Sequence, residues 1–186
     1  NYLNGMRMQD MVFKPFKRQI SNICYTSLED RTMVSASWDG AIRVFLDEPP
    51  LEGESVLSEN RTTLRAIEHA HLSDVTALTV SRSLSKIASG ESTGKIKVWD
   101  VEFCSMDGLC LGHSTEVTAL LFLDPLPLLV SSDADGSLCL WSLWPHHPRF
   151  VCLKRWQLPA IAGVADSVVG QTVTCMVRFP AEVKRE

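Results

Sequence analysis

The feature that most constrains this chain is a segment that recurs three times without internal gaps: Met33–Phe45 (MVSASWDGAIRVF), Ile87–Trp99 (IASGESTGKIKVW) and Leu129–Trp141 (LVSSDADGSLCLW). The copies keep a period. Trp99 and Trp141 stand 42 residues apart, as do Val75 and Val117, whereas Ile20 and Val75 stand 55 apart. The excess of 13 is taken up by one acidic insertion, Asp47–Asn60. A period of about 40–45 residues containing several short strands points to propeller blades and away from helical solenoids.

Each copy repeats one local grammar. A strand of small and β-branched residues leads into a tight turn ending in Gly40, Gly94 or Gly136, and a second strand closes on an aromatic. A further alternating strand lies upstream of each pair: Ile20–Ile23, Val75–Leu78 and Val117–Leu120. His71 and His113 stand four residues ahead of the last two. Strands dominate throughout, while Pro145 and Pro148, around His146 and His147, mark a loop because proline interrupts strand ladders. Ala160–Gly170 reads as a second loop.

Composition narrows the function classes. With 186 residues, 45% hydrophobic and 22% charged, the chain can bury a core and is neither a disordered tail nor a coiled-coil rod. Its net charge of −4 argues against nucleic acid as a partner. The insertion alone carries five carboxylates and no basic residue, so the rest is close to neutral. The longest apolar stretch, Leu120–Val130, is interrupted by Asp124, Pro125 and Pro127 and falls short of the roughly 20 residues that would span a bilayer, so no membrane association is expected. Six cysteines, at 24, 104, 110, 139, 152 and 175, form no Cys-x-x-Cys pair and read mostly as small core residues of a reduced, cytoplasmic compartment. No zinc spacing, phosphate loop or glycine-rich nucleotide motif occurs, so neither a metal nor a cofactor is expected.

On these residues the chain resembles the WD-repeat β-propeller family: Trp99-Asp100 supplies the name-giving dipeptide and Gly112-His113 the other signature pair. The resemblance implies an all-β fold, a propeller section of three complete blades with partial flanking blades. Residues 1–16 would hold an outer strand and loop from a preceding blade. Repeat one would cover 17–70 with its insertion at 47–60, repeat two 71–112 and repeat three 113–158. Residues 159–186 would hold a loop and the first strand of a following blade. At about 42 residues per blade a seven-bladed ring would need roughly 300 residues, so the rest of its own propeller is an expected partner.

The resemblance also implies a hydrogen-bonded tetrad in each blade, joining a loop histidine, a serine, the aspartate of the turn and the closing tryptophan. Repeat three supplies His113, Ser131, Asp135 and Trp141. Repeat two keeps His71, Ser89 and Trp99 but has Thr93 at the carboxylate position, and repeat one keeps Ser35 and Asp39 with Phe16 and Phe45 outside them. Trp99→Phe is therefore expected to cost less than Trp141→Phe. A Ser, a His and an Asp together invite a hydrolase reading, but a set that recurs at blade spacing is architecture, so no catalytic residue is assigned.

Trp38 occupies the turn where the other copies have Ser92 and Ala134, and Lys14, Lys17 and Arg18 belong to the loop at the same end. Aromatic and basic side chains together mark a partner-binding candidate. The expected function is a non-catalytic protein–protein interaction scaffold. The wording His71-Leu-Ser-Asp-Val-Thr-Ala-Leu78, with Leu128-Leu-Val-Ser-Ser132 after Asp124-Pro-Leu-Pro127, resembles the EF-hand-containing WD-repeat proteins of motile cilia and flagella. That resemblance implies an axonemal, cytoskeletal location and partners among tubulin, radial-spoke or dynein-associated complexes, with any EF-hands outside this segment. The alternative is a soluble adaptor such as a ubiquitin-ligase substrate receptor or a trafficking coat component.

Overall fold

A computed structural model describes residues 18–25, 32–47, 62–145, 148–159 and 172–177. Twelve strands occupy them, in three antiparallel four-stranded sheets. Blade one contains β1 (Ile20–Tyr25), β2 (Thr32–Ser37), β3 (Ile42–Asp47) and β4 (Thr62–Ile67). Blade two contains β5 (Val75–Ser81), β6 (Lys86–Glu91), β7 (Ile96–Asp100) and β8 (Met106–Cys110). Blade three contains β9 (Val117–Phe122), β10 (Leu128–Asp133), β11 (Ser137–Ser142) and β12 (Val151–Gln157). Every sheet is a meander in which sequence neighbours pair. The three blades expected from the repeat are these three sheets.

Blade two carries apolar residues on both faces because it is stacked between blades one and three. In β11, Cys139 and Trp141 are buried while Leu138 and Leu140 are half-buried on the other face, the period-2 pattern of a strand. Two cores result. Val34, Ala36, Ile42 and Val44 of blade one meet Val75, Leu78, Ile87 and Trp99 of blade two. Ala77, Ala88, Ile96 and Val98 on the other face of blade two meet Val117, Phe122, Leu129 and Trp141 of blade three.

The innermost strands are also joined by polar contacts. Asn22 on β1 donates through Nδ2 to the Thr76 carbonyl on β5 at 2.8 Å, and Thr76 Oγ1 donates to the Val117 carbonyl on β9 at 2.7 Å. One position of the second strand is small in every blade, namely Ala36, Gly90 and Ser132. A Cβ added at Gly90 would lie 2.5 Å from Val117 Cγ1, so the first valine of blade three needs that space. Ser132 Oγ donates at 3.3 Å to the carbonyl of Val173, and Thr172 Oγ1 donates at 3.2 Å to that of Ala134. Residues 172–177 thus lie against blade three where the first strand of a following blade is expected, although they form no strand.

Some expectations need correction or fall elsewhere. Of the cysteines, Cys110 and Cys139 are buried, Cys24 and Cys104 are half-buried, and Cys152 and Cys175 are exposed; all six are free thiols. The outer strand expected before residue 17, the insertion beyond Asp47, His146, His147 and the loop 160–170 lie outside the described residues. No helix among the described residues is long and apolar enough to cross a membrane.

Candidate partner-binding site

The site begins with the buried networks that hold its loops. In blade three, His113 Nδ1 donates to Asp133 Oδ2 at 2.8 Å, Ser131 Oγ donates to His113 Nε2 at 2.6 Å, and Trp141 Nε1 donates to Ser131 Oγ at 2.7 Å. The carboxylate is Asp133, not the expected Asp135. Alternation along β10 turns Ser131 and Asp133 to the same side, whereas Asp135 lies in the turn and is exposed to solvent. Asp133 also accepts the Ser137 amide at 2.8 Å, tying the network to the start of β11.

Blade two is complete as well, contrary to the reading of Thr93 as a missing carboxylate. Glu91, two residues after Ser89, accepts from His71 Nδ1 at 2.7 Å. Ser89 Oγ donates to His71 Nε2 at 2.6 Å and accepts from Trp99 Nε1 at 2.8 Å. Thr93 is a buttress, donating its hydroxyl to the second carboxylate oxygen of Glu91. The longer glutamate side chain, steadied by Thr93, does the work of an aspartate.

Blade one departs from this pattern. Ser37 stands where the other blades have Glu91 and Asp133; its hydroxyl donates to the Arg18 carbonyl at 3.2 Å and accepts the Asp39 amide at 3.3 Å. Asp39, expected in the tetrad, instead accepts the Ala41 amide at 3.1 Å within the turn. Ser35 Oγ is buried without a hydrogen-bond partner, and Phe45 offers no N–H at the tryptophan position. Phe16 lies outside the described residues.

Burial governs the electrostatics of these networks. Removal from water pushes His71 down to about 4, against the opposing pull of Glu91, so its ring is neutral near pH 7. His113 is lowered for the same reason, against the pull of Asp133. Burial would raise the Glu91 carboxyl, but the hydrogen bonds from Thr93 and His71 outweigh it and hold the group below its ordinary range. A neutral ring can donate through Nδ1 and accept at Nε2, which satisfies every member of the chain. The serine hydroxyls are fully buried and doubly engaged, so this Ser–His–carboxylate set is not an exposed nucleophile.

The networks clamp each incoming loop under the hairpin turn of the blade before it. The His71 amide donates to the Gly40 carbonyl at 3.0 Å, and a Cβ at Gly40 would lie 2.3 Å from the His71 carbonyl oxygen. Gly94 meets the His113 carbonyl in the same way, and the turn glycines adopt positive φ of 80°, 88° and 78° at Gly40, Gly94 and Gly136.

On this clamped end, Trp38 is 41% exposed and Leu72, next to His71, is 95% exposed. The Trp38 amide donates to the Gln19 carbonyl at 3.0 Å, and Arg18 Nη1 binds Asp74 Oδ1 at 2.9 Å. The structure therefore places Arg18 and Trp38 in one neighbourhood, bridged to the loop that carries Leu72. Lys14 and Lys17 lie outside the described residues. At the equivalent positions the next junction has Ser92 and Ser114, so of the two described junctions the apolar pair belongs to that of blades one and two. Sequence reasoning missed Leu72; the signal was a large apolar residue immediately after a buried loop histidine.

The sequence model of the WD domain, G-beta repeat, matches residues 61–100 and 104–142, which include strands of all three meander sheets. The chain carries two WD repeats. Among solved structures, the WD40 repeats of RRP9 superpose with a TM-score of 0.62 at 22% identity, covering 77% of this chain and 40% of that one. U3-55K superposes with a TM-score of 0.62 at 21% identity, over 77% of this chain and 41% of that one. Among curated proteins, Topless-related protein 2 of Oryza sativa subsp. japonica is 37% identical over 57 residues, 31% of this WD-repeat chain and 5% of its own length. Periodic tryptophan protein 2 of Arabidopsis thaliana is 33% identical over 78 residues, 40% of this chain and 8% of its own length. The WD-repeat chain thus spans a small part of these relatives. WD40 propellers generally act as protein-interaction scaffolds. Among the described residues, no three His, Cys, Asp or Glu side chains are grouped to hold a metal ion.

Proposed function

We propose that this WD-repeat chain is a non-catalytic scaffold that takes a partner protein at the end where blades one and two meet. The observation that carries this is that Trp38 and Leu72 are both exposed on two loops joined by the His71 amide to the Gly40 carbonyl and by the Arg18–Asp74 pair. An exposed indole on a rigid frame loses little entropy on binding, and Trp and Arg are enriched among residues that dominate interface energies. Lys14 and Lys17 belong to the same patch in this reading. Proteins of a large assembly are the expected partners, with an axonemal assembly containing tubulin, spoke or dynein-associated components as the specific proposal. The wording of repeats two and three supports that assignment.

The test is crosslinking mass spectrometry on the full-length native protein in its cellular fraction, using Lys14 and Lys17 as reactive handles. Crosslinks to axonemal proteins, and retention in detergent-extracted axonemes, support the reading. Release by detergent with crosslinks to ligase or coat subunits moves the assignment to a soluble adaptor. Trp38→Ala should remove the partner crosslinks, with melting curves to check that the fold survives; undiminished crosslinks would exclude this patch.

A further inference from the structure

The geometry points to a second docking site, independent of the Trp38 patch, at the opposite end of blades two and three: a pocket that takes one apolar side chain of an acidic peptide segment. The pocket has a volume of about 230 Å³, and Leu84 and Val98 of blade two and Pro127, Leu143 and Phe150 of blade three form its apolar walls. That is below the roughly 300–1,000 Å³ of small-molecule sites, so a single anchoring side chain suits it better than a whole metabolite.

The pocket is built rather than left over between blades. Phe150 has φ of +61°, a conformation a bulky residue rarely adopts. Its ring lies against Gly108 on β8, where an added Cβ would fall 2.0 Å from Phe150 Cε2. The Phe150 amide donates to the Ser142 carbonyl at 2.7 Å, and the Leu143 amide donates to the Pro127 carbonyl at 2.8 Å. A strained aromatic held by a seat in the neighbouring blade keeps the opening in shape, and such strain persists where the surroundings over-determine it.

The lip decides the chemistry of the occupant. Asp107 accepts from Arg149 Nη2 at 2.6 Å and lies 3.4 Å from Lys86 Nζ. Lys86 Nζ also donates to Asp100 Oδ2 at 3.0 Å, and Asp100 Oδ1 accepts the amides of Glu102 and Phe103. The carboxylates are therefore occupied. The Arg149 guanidinium lies over the Phe150 ring at 4.8 Å and engages Asp107 through a single nitrogen of a group with five N–H donors. The spare capacity at the lip is donor capacity on a cation, which suits a carboxylate. The occupant is thus a peptide with Leu, Ile, Met or Phe close to an Asp or Glu.

The test is panning of a random-peptide phage library on immobilised full-length protein, in parallel with Arg149→Glu and Leu84→Trp. The first reverses the charge at the lip, the second fills the pocket from the β5–β6 turn, and melting curves check both folds. Enriched peptides should pair an apolar residue with an acidic one. Their recovery should fall by about thirtyfold or more on both variants, as for an anchor residue removed from an interface, and persist on Trp38→Ala. Three results would overturn the assignment: no enrichment over bare support, peptides without acidic residues, or equal recovery on Arg149→Glu. If Leu84→Trp unfolds, Arg149→Glu, on a partly exposed side chain, decides alone.

Discussion

Asp133→Ala and Asp135→Ala, compared in the full-length protein, separate the two aspartates of the third repeat. Asp133 is buried and accepts two bonds, from the His113 ring and the Ser137 amide, both at 2.8 Å. Truncation leaves two buried donors without acceptors, and at about 1–3 kcal/mol each the loss is about 2–6 kcal/mol. Moving the ring proton to Nε2 does not rescue the network. Ser131 Oγ would then receive both the ring N–H and the indole N–H, and its own proton would have no acceptor. Asp135 is exposed, and its main-chain carbonyl accepts from Gln157 Nε2 at 2.6 Å. Its truncation should stay within about 0.5 kcal/mol. Thermal melting reads the difference, since 1 kcal/mol moves the midpoint by about 2–4 °C in a unit of 150–250 residues. Equal shifts, or a larger shift for Asp135→Ala, would refute the assignment of the tetrad.

Trp99→Phe and Trp141→Phe should each cost about 1–3 kcal/mol, because both remove an indole N–H from a complete network; clearly smaller destabilisation for Trp99→Phe in urea titrations would mean that Glu91 does not replace aspartate. The neutral, buried His71 binds fewer protons in the folded than in the unfolded chain between its lowered value of about 4 and the ordinary 6.5. Stability from this group is therefore complete above about pH 6.5 and is lost as pH falls toward 4, by about 3 kcal/mol in all; a denaturation series across that window should show a slope that His71→Gln reduces, and an unchanged slope would exclude His71 as its source. Gly94→Ala should lower the melting midpoint, since it combines a φ of +88° with a Cβ 2.6 Å from the His113 carbonyl oxygen; an unchanged midpoint would show that the clamp between turn and loop can relax.

The repeat, the strand order within each blade and the pairing of histidine, serine and tryptophan were legible because they recur in phase. The carboxylate was misplaced because Ser131, Asp133 and Asp135 all obey a two-residue spacing, and only the end of β10 separates the strand residue from the turn residue. Glu91 was overlooked because a tetrad was expected to hold aspartate, yet the same step of two from Ser89 reaches it. The ion-pair cluster at Asp107 and the seat of Phe150 on Gly108 were not readable, since both join residues about 42 positions apart across a blade boundary. Local alternation predicts which way a side chain points, but not which residue of the neighbouring blade meets it.

The small residues at Ala36, Gly90 and Ser132 make the blades non-interchangeable. Gly90 leaves the space that Val117 of the next blade fills, Ala36 carries a methyl at the same position, and Ser132 a hydroxyl bonded to the Val173 carbonyl. Repeats that look alike in sequence are therefore keyed to their own successors. A gene duplication that transposed two of them would preserve every strand and turn yet misfit at the joint, and drift in one copy is bounded by the shape of the copy downstream.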